Sequence, residues 1–396
     1  MLENLKVMLI SEEKKMQTAA EKTTAESIAK VGKKASALNT IVDMGGEDSG
    51  CSGIILSHLE GEIKSNVLST SSKLRQACFV VMKLMLRQGL VHPMEHAAHL
   101  IALGADPIDE IKVSANKQLD DLNTQYPDFV QQKAVEGMIT TYKFKALLAK
   151  AKVAGAGVTG FKQGREAGDN SAELHHLYTL LKPKRTIRRC FVREIVALFG
   201  RSQEGVPRGQ LVFVAGNMAH FPYSLNEETL YVIHEITLLT AVRGSQIQNA
   251  FRVLLGYNDA LSEAEEEDSA ADVADRIGDE LTEDFVTVMR EAQALVGLLA
   301  VKQFLQRVCG YTEARCEDFD PDDAASKHRS PIYKRSTDAF EAPDLPIVPK
   351  QISCQPAPRR SMRRQRPALP TPAATHQTRT TGSWPSYMAG TWHCNP

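Results

Sequence analysis

The chain has 396 residues, 43% of them apolar and 24% charged, with a formal net charge of −1, the profile of an ordinary soluble globular protein. At that balance the chain as a whole carries no bias toward nucleic acid or membrane, so any such affinity has to come from local segregation of charge. Its seven cysteines are odd in number, widely spaced and without a CxxC pair, which excludes a zinc knuckle or a thioredoxin-type motif and reads as reduced thiols in an intracellular compartment.

Residues 1–50 read as a short helix and a polar linker that closes at Gly45-Gly46. Lys6, Glu12, Glu13, Lys14 and Lys15 interrupt any apolar run, so this is not a signal peptide. Residues 51–256 hold most of the apolar content at helical spacing. Leu74-Arg75-Gln76-Ala77-Cys78 opens one helix, and Ile111-Lys112-Val113-Ser114-Ala115 opens another thirty-seven residues later. Between them a third helix runs from Pro93 to Leu103, closed by Gly104. Asp106-Pro107 then reads as a cap and first helical residue. Helix–turn–helix units near this period predict a HEAT-like solenoid.

Further on, Gly209 to Gly216 (GQLVFVAG) could pass for a strand, but no partner strand pattern exists and a helix is expected. Ser224-Leu225-Asn226-Glu227 has the form of a capping box, with a 3.6-residue apolar period behind it. Residues 257–284 form an acidic loop, in which the acids from Asp259 to Asp284 face only Arg276. Residues 285–341 are read as C-terminal helices completing the array. Their most apolar stretch, Phe285 to Leu305, carries Arg290, Glu291 and Lys302 and so does not span a membrane. From 342 to 396 the chain is rich in Pro, Arg, Thr and Ser and is expected to be a disordered basic tail. Its cluster Arg359 to Arg366 fits either a nuclear-import signal or nonspecific phosphate binding.

Candidate chemistry is sparse. Gly155-Ala156-Gly157-Val158-Thr159-Gly160 matches GxGxxG, but that motif cradles a pyrophosphate only between a strand and a helix. Here it follows the helical segment Lys143 to Lys152, so a loop is expected. His92, His96 and His99 share one helix face, yet HExxH is absent and surface or groove histidines are the plainer reading. No catalytic residue, cofactor or metal is expected. The most informative feature is basic: Lys182, Lys184, Arg185, Arg188, Arg189 and Arg193 lie within twelve residues, and the one nearby acid, Glu194, follows directly. On a helix beginning near Pro183, Arg185, Arg188 and Arg189 share a face, opposite Ile187, Phe191, Ile195 and Leu198. Several cations on one rigid surface suit phosphate neutralisation; a solvated helix face is the alternative. Lys182, Lys184, Arg185, Arg188 and Arg189 are the candidate DNA-binding residues.

Several collinear segments resemble the Nipped-B family of cohesin-loading factors: Met85 to Leu103 with Gly104-Ala105-Asp106-Pro107, Lys133 to Met138, Gly160-Phe161-Lys162-Gln163, Arg188-Arg189 with Phe191, Asn217 to Tyr223, and Leu305 to Tyr311. The resemblance covers roughly residues 50–340 and implies an all-α, HEAT-repeat, nuclear protein corresponding to the family's C-terminal part. It further implies contacts with double-stranded DNA and with cohesin (its SMC heads and kleisin), promotion of cohesin loading onto chromatin, stimulation of cohesin's ATPase, and roles in sister chromatid cohesion and transcription regulation. The ATPase belongs to cohesin, so the chain itself is not expected to be an enzyme. The family's Mau2-type adaptor binds an N-terminal region that this chain lacks. The alternatives are a HEAT-repeat adaptor that binds only proteins and, if a parallel sheet exists, an enzyme using the GxGxxG.

Overall fold

A computed structural model describes residues 2–29, 58–154, 157–163, 170–201, 206–254, 283–322, 330–332 and 338–344. Most of the polar linker, nearly all of the acidic loop and the basic tail beyond residue 344 lie outside the described residues. The described residues fall in one compact unit. They are almost entirely helical, as the sequence leads one to expect. The departures are a two-residue ladder, β1 (Phe161–Lys162) antiparallel to β2 (Ser171–Ala172), and an isolated bridge between Leu225 and Pro331.

The first half repeats a helical pair. Helices α1 (Leu2–Ala29), α3 (Ser72–Arg87) and α5 (Asp109–Gln125) pack along one layer. The run 58–66 (α2), α4 (Pro93–Leu103) and α6 (Pro127–Lys150) follow along the other, with Lys64 and Glu60 of α2 reaching Glu95 and His96 of α4. Gly137 on α6 is needed for this stacking, because a methyl group there would run into the Ile101 side chain at 2.5 Å. An array that began at α3 would expose its apolar side. Instead α1, longer than the short helix expected, buries Leu5 and Leu9 against α3, and Gln88 donates to the Leu9 carbonyl at 2.8 Å.

The repeat is fixed by a buried ion pair. Arg75 Nε and Nη2 donate to the two carboxylate oxygens of Asp106 at 2.8 and 3.2 Å, and Nη1 donates to the carbonyls of Ser69 and Thr70. Both side chains are at most 1% exposed. A buried pair of this kind is stable only when every donor and acceptor is matched, and losing one partner typically costs about 3–5 kcal/mol. This corrects the expected helix start at Asp106-Pro107. Asp106 is turned inward to Arg75 and the Ile108 amide, so α5 begins at Asp109 with Ile108 in the cap position.

The second half contains α7 (His175–Leu181), α8 (Arg185–Gly200), α9 (Arg208–His220), α10 (Asn226–Leu254), α11 (Glu283–Cys309) and α12 (Glu313–Glu317). The GQLVFVAG segment is helical, within α9. It looked strand-like because α9 is buried on every side, from Gln210 through His220 with little interruption, so no amphipathic period shows. Backbone presses directly on backbone here: Gly160, at φ +87°, and Gly216 face each other, and a methyl on Gly216 would overlap the Thr159 carbonyl oxygen. No described residue beyond α12 is helical; 330–332 and 338–344 lie as extended segments over α9, α10 and α11. Among the described residues no helix is long and apolar enough to cross a membrane.

His96 corrects the expectation of surface histidines. It is fully buried, with Nε2 at 3.1 Å from Glu60. Burial, reinforced by the Lys64 ammonium and by His99 and opposed by Glu60, pulls its pKa down to about 4. The unfolded chain therefore takes up this proton first. The stability contributed by the neutral ring is whole above pH 6.5 and is lost as pH falls toward 4. Thermal unfolding followed by circular dichroism should show the parent chain losing more stability than His96→Gln over that interval. Equal losses would place the acid sensitivity elsewhere.

Candidate nucleic-acid interface

The basic run straddles the start of α8. Lys182 ends α7, Lys184 takes the N-cap position of α8, and Arg185 is its first helical residue. The expected inward face is present: Phe191, Ile195 and Leu198 are buried and Ile187 partly so. The arginine face is covered as well. The first turn of α10 sets Glu227 against it: Arg188 Nη2 lies 2.5 Å from Oε2, Arg189 Nη2 and Nε lie 2.9 and 3.2 Å from Oε1, and Arg185 Nε lies 3.2 Å from the same oxygen. Arg185 and Arg189 also donate to the Pro321 carbonyl at 3.0 and 2.9 Å. Arg188 turns back to the Lys182 carbonyl at 2.8 Å, and its side chain is 8% exposed.

Glu228, with its side chain 1% exposed, completes the node. It accepts from the Ser224 amide at 3.1 Å and from the Tyr178 hydroxyl at 3.4 Å. Lys182 donates to the Pro222 carbonyl at 2.7 Å. This corrects the expected capping box: Glu228 rather than Glu227 reaches back to the Ser224 amide, the Ser224 hydroxyl meets Glu228 instead of a first-turn amide, and Glu227 serves the arginines. Burial pushes the Glu227 carboxyl up, but the charges of Arg188, Arg189 and Arg185 outweigh it and hold the group below its ordinary value. Arg189 stacks over the Tyr231 ring at 4.6 Å, and Arg193 donates to the Tyr231 hydroxyl.

The five candidate residues thus lie together but differ in access. Lys184 is exposed, Lys182, Arg185 and Arg189 are partly covered, and Arg188 is inside; Arg193, just beyond the five, is exposed as well. Three guanidiniums share one carboxylate, so the node retains a positive excess, and no carboxylate among the described residues pairs with Lys184. Sequence reading missed Glu227, Glu228, Tyr231 and Pro321; only the doublet of acids opening a strong helix hinted at the first two.

The other candidates carry no comparable site. Gly155 and Ala156 lie outside the described residues, and the rest of the GxGxxG follows the end of α6 rather than a strand. His92 lies against Phe129, with ring centroids 5.3 Å apart. Among the described residues no cluster of His, Cys, Asp or Glu could hold a metal ion.

Because its folded pKa is depressed, Glu227 contributes stability that is whole above its ordinary carboxylate pKa and is lost as pH falls through the lowered value. Glu227→Gln should therefore destabilise the chain at pH 7 by about 2–4 kcal/mol, an uncompensated arginine cluster being left behind. In denaturant titrations the gap to the parent should close as the medium is acidified. A gap that persists in acid would contradict the charge account.

Residues 51–239 match the family described as sister chromatid cohesion C-terminus, Nipped-B_C. Nipped-B-like protein A of Danio rerio is 31% identical over 251 residues, which is 63% of this chain and 10% of that protein. The Nipped-B protein of Drosophila melanogaster is 26% identical over 310 residues, 76% of this chain and 15% of its own length. Nipped-B-like protein scc-2 of Caenorhabditis elegans is 27% identical over 359 residues, 86% and 16% respectively. The chain thus spans only a small part of these relatives. In structure it resembles the C-terminal fragment of the Chaetomium thermophilum cohesin loader SCC2, with a TM-score of 0.53 over 78% of this chain and 19% of that one; at 18% identity this is a likeness of fold. Over residues 51–239 the chain thus matches the C-terminal region of the Nipped-B family, and its helical fold resembles that of a cohesin-loader C-terminal fragment.

Proposed function

We propose that this chain acts in sister chromatid cohesion as a non-catalytic scaffold of a cohesin loader. It would meet the cohesin ring through its SMC heads and kleisin, bind duplex DNA, promote loading onto chromatin in the nucleus and stimulate the ATPase that cohesin itself carries. The family description and the relatives' names support the cohesion role. The positive excess at the start of α8 is the observation that carries the DNA reading. There Arg185, Arg188 and Arg189 converge on Glu227, Lys182 and Arg188 come within 4.0 Å of Glu228, and Lys184 stands exposed beside them. In this reading Lys184 meets phosphate directly, Lys182, Arg185 and Arg189 add to the field, and Arg188 keeps the surface in shape.

A second reading has an observation of its own. The arginines already take a carboxylate and a carbonyl as partners, so the same edge suits an acidic protein surface. Salt-titrated binding of the full chain to duplexes of unrelated sequence separates the two. Lys184→Glu should weaken binding to every duplex alike and reduce the slope of log affinity against log salt by about one. An unchanged affinity and slope would remove DNA from this edge and leave the adaptor reading.

A further inference from the structure

Residues 338–344 (Asp-Ala-Phe-Glu-Ala-Pro-Asp) cross α9 and α11 as an extended strap with three carboxylates and no base. One side chain anchors it: Phe340 is 5% exposed and meets Phe304 of α11 edge to face, with centroids 5.5 Å apart. The Phe340 amide donates to Nε2 of buried His220 on α9 at 3.1 Å. Two cations hold the flanks. Arg208 of α9 donates to the Pro343 carbonyl at 3.3 Å, and Arg307 of α11 lies 3.6 Å from Asp338. Beside the strap a cavity of about 700 Å³ stays open, between Gln303, Phe304 and Arg307 on α11 and Asp338, Phe340 and Glu341 on the strap.

A segment packed simply as part of a core would bury several side chains. This one buries a single aromatic, is held by main-chain bonds at Phe340 and Pro343, and sets one carboxylate, Asp338, beside Arg307. That is how a folded surface reads a short extended peptide: main-chain bonds supply attachment and one pocket supplies specificity. We propose that the trough between α9 and α11 is a peptide-recognition site for an aromatic residue flanked by carboxylates. Residues 338–344 occupy it in cis, and an acidic, aromatic peptide of a partner protein competes for it. Tethering places the strap at an effective concentration of order millimolar. A competing peptide of micromolar affinity therefore binds the intact chain poorly and binds well once the strap is released.

The test is fluorescence anisotropy with a labelled peptide of residues 336–346, titrated with the full chain and its variants. Phe340→Ala in the chain should raise the peptide's affinity tenfold or more over the parent. That gain should vanish when the peptide's own phenylalanine is replaced by alanine, and should fall at least severalfold when Arg307→Glu is added to the chain. No saturable binding to a Phe340→Ala chain of unchanged helical signal, or binding indifferent to the peptide's phenylalanine, overturns the proposal. If Phe340→Ala lowers the helical signal, Asp338→Lys decides instead. It keeps the anchor and loosens one flank, so peptide affinity should lie above that of the parent; affinity equal to the parent's overturns the proposal equally.

Discussion

At the first turn of α10 three guanidiniums converge on the Glu227 carboxylate, while Glu228 behind it is closed off by Tyr178 and the Ser224 amide. Acidic side chains are favoured at a helix N-terminus by the unsatisfied amides and the dipole, so the position suits them before any arginine arrives. Once Arg188 is buried against Glu227, neither charge is easily removed, because each would leave the other desolvated and unpaired. The same turn gathers other parts of the chain. Asn226 exchanges bonds with Ser330 and Tyr311, and the Ile332 amide donates to the Ser224 carbonyl. Helices α8 and α10, the turn after α11 and the segment 330–332 therefore share one polar hub.

The device occurs twice. Arg75 is the fourth residue of α3 and Arg188 the fourth of α8. Each donates to a carbonyl six residues back, Ser69 or Lys182, and each pairs with an acid far ahead, Asp106 or Glu227. In each case the arginine satisfies carbonyls at the mouth of its own helix and ties that helix to a later part of the chain. A helical stack has few long-range main-chain bonds, so such side-chain ties, with apolar layer packing, fix how neighbouring units sit.

Much of this was legible in the sequence. Helical period, Pro93 at a helix start and the spacing of Leu74 and Ile111 led to the repeat, because those signals are local. The density of cations before α8 was also plain, and so was the register placing Arg185, Arg188 and Arg189 together. Their partners were not, since Glu227 lies about forty residues on and resembled a capping residue. His96 was misjudged for the same reason: Glu60, which receives it, is on another helix. The α9 segment hid its type because a helix buried on all sides loses the amphipathic stripe by which helices are recognised. Composition also assigned the last residues before the tail to helices, whereas 338–344 are extended and held by Phe340.

Buried arginine pairing also decides how much of the basic cluster is open to a partner, leaving Lys184 and Arg193 as its exposed cations. The central claim is that the α10 first turn is a cooperative hub, and amide hydrogen exchange in Arg188→Met tests it most directly. The account predicts that protection falls together in the first turns of α8 and α10 and at Asn226 and Ile332, whose amides bond to Ser330 and Ser224, while α3 to α6 keep theirs. Loss of protection confined to α8, with Asn226 and Ile332 unchanged, would contradict it.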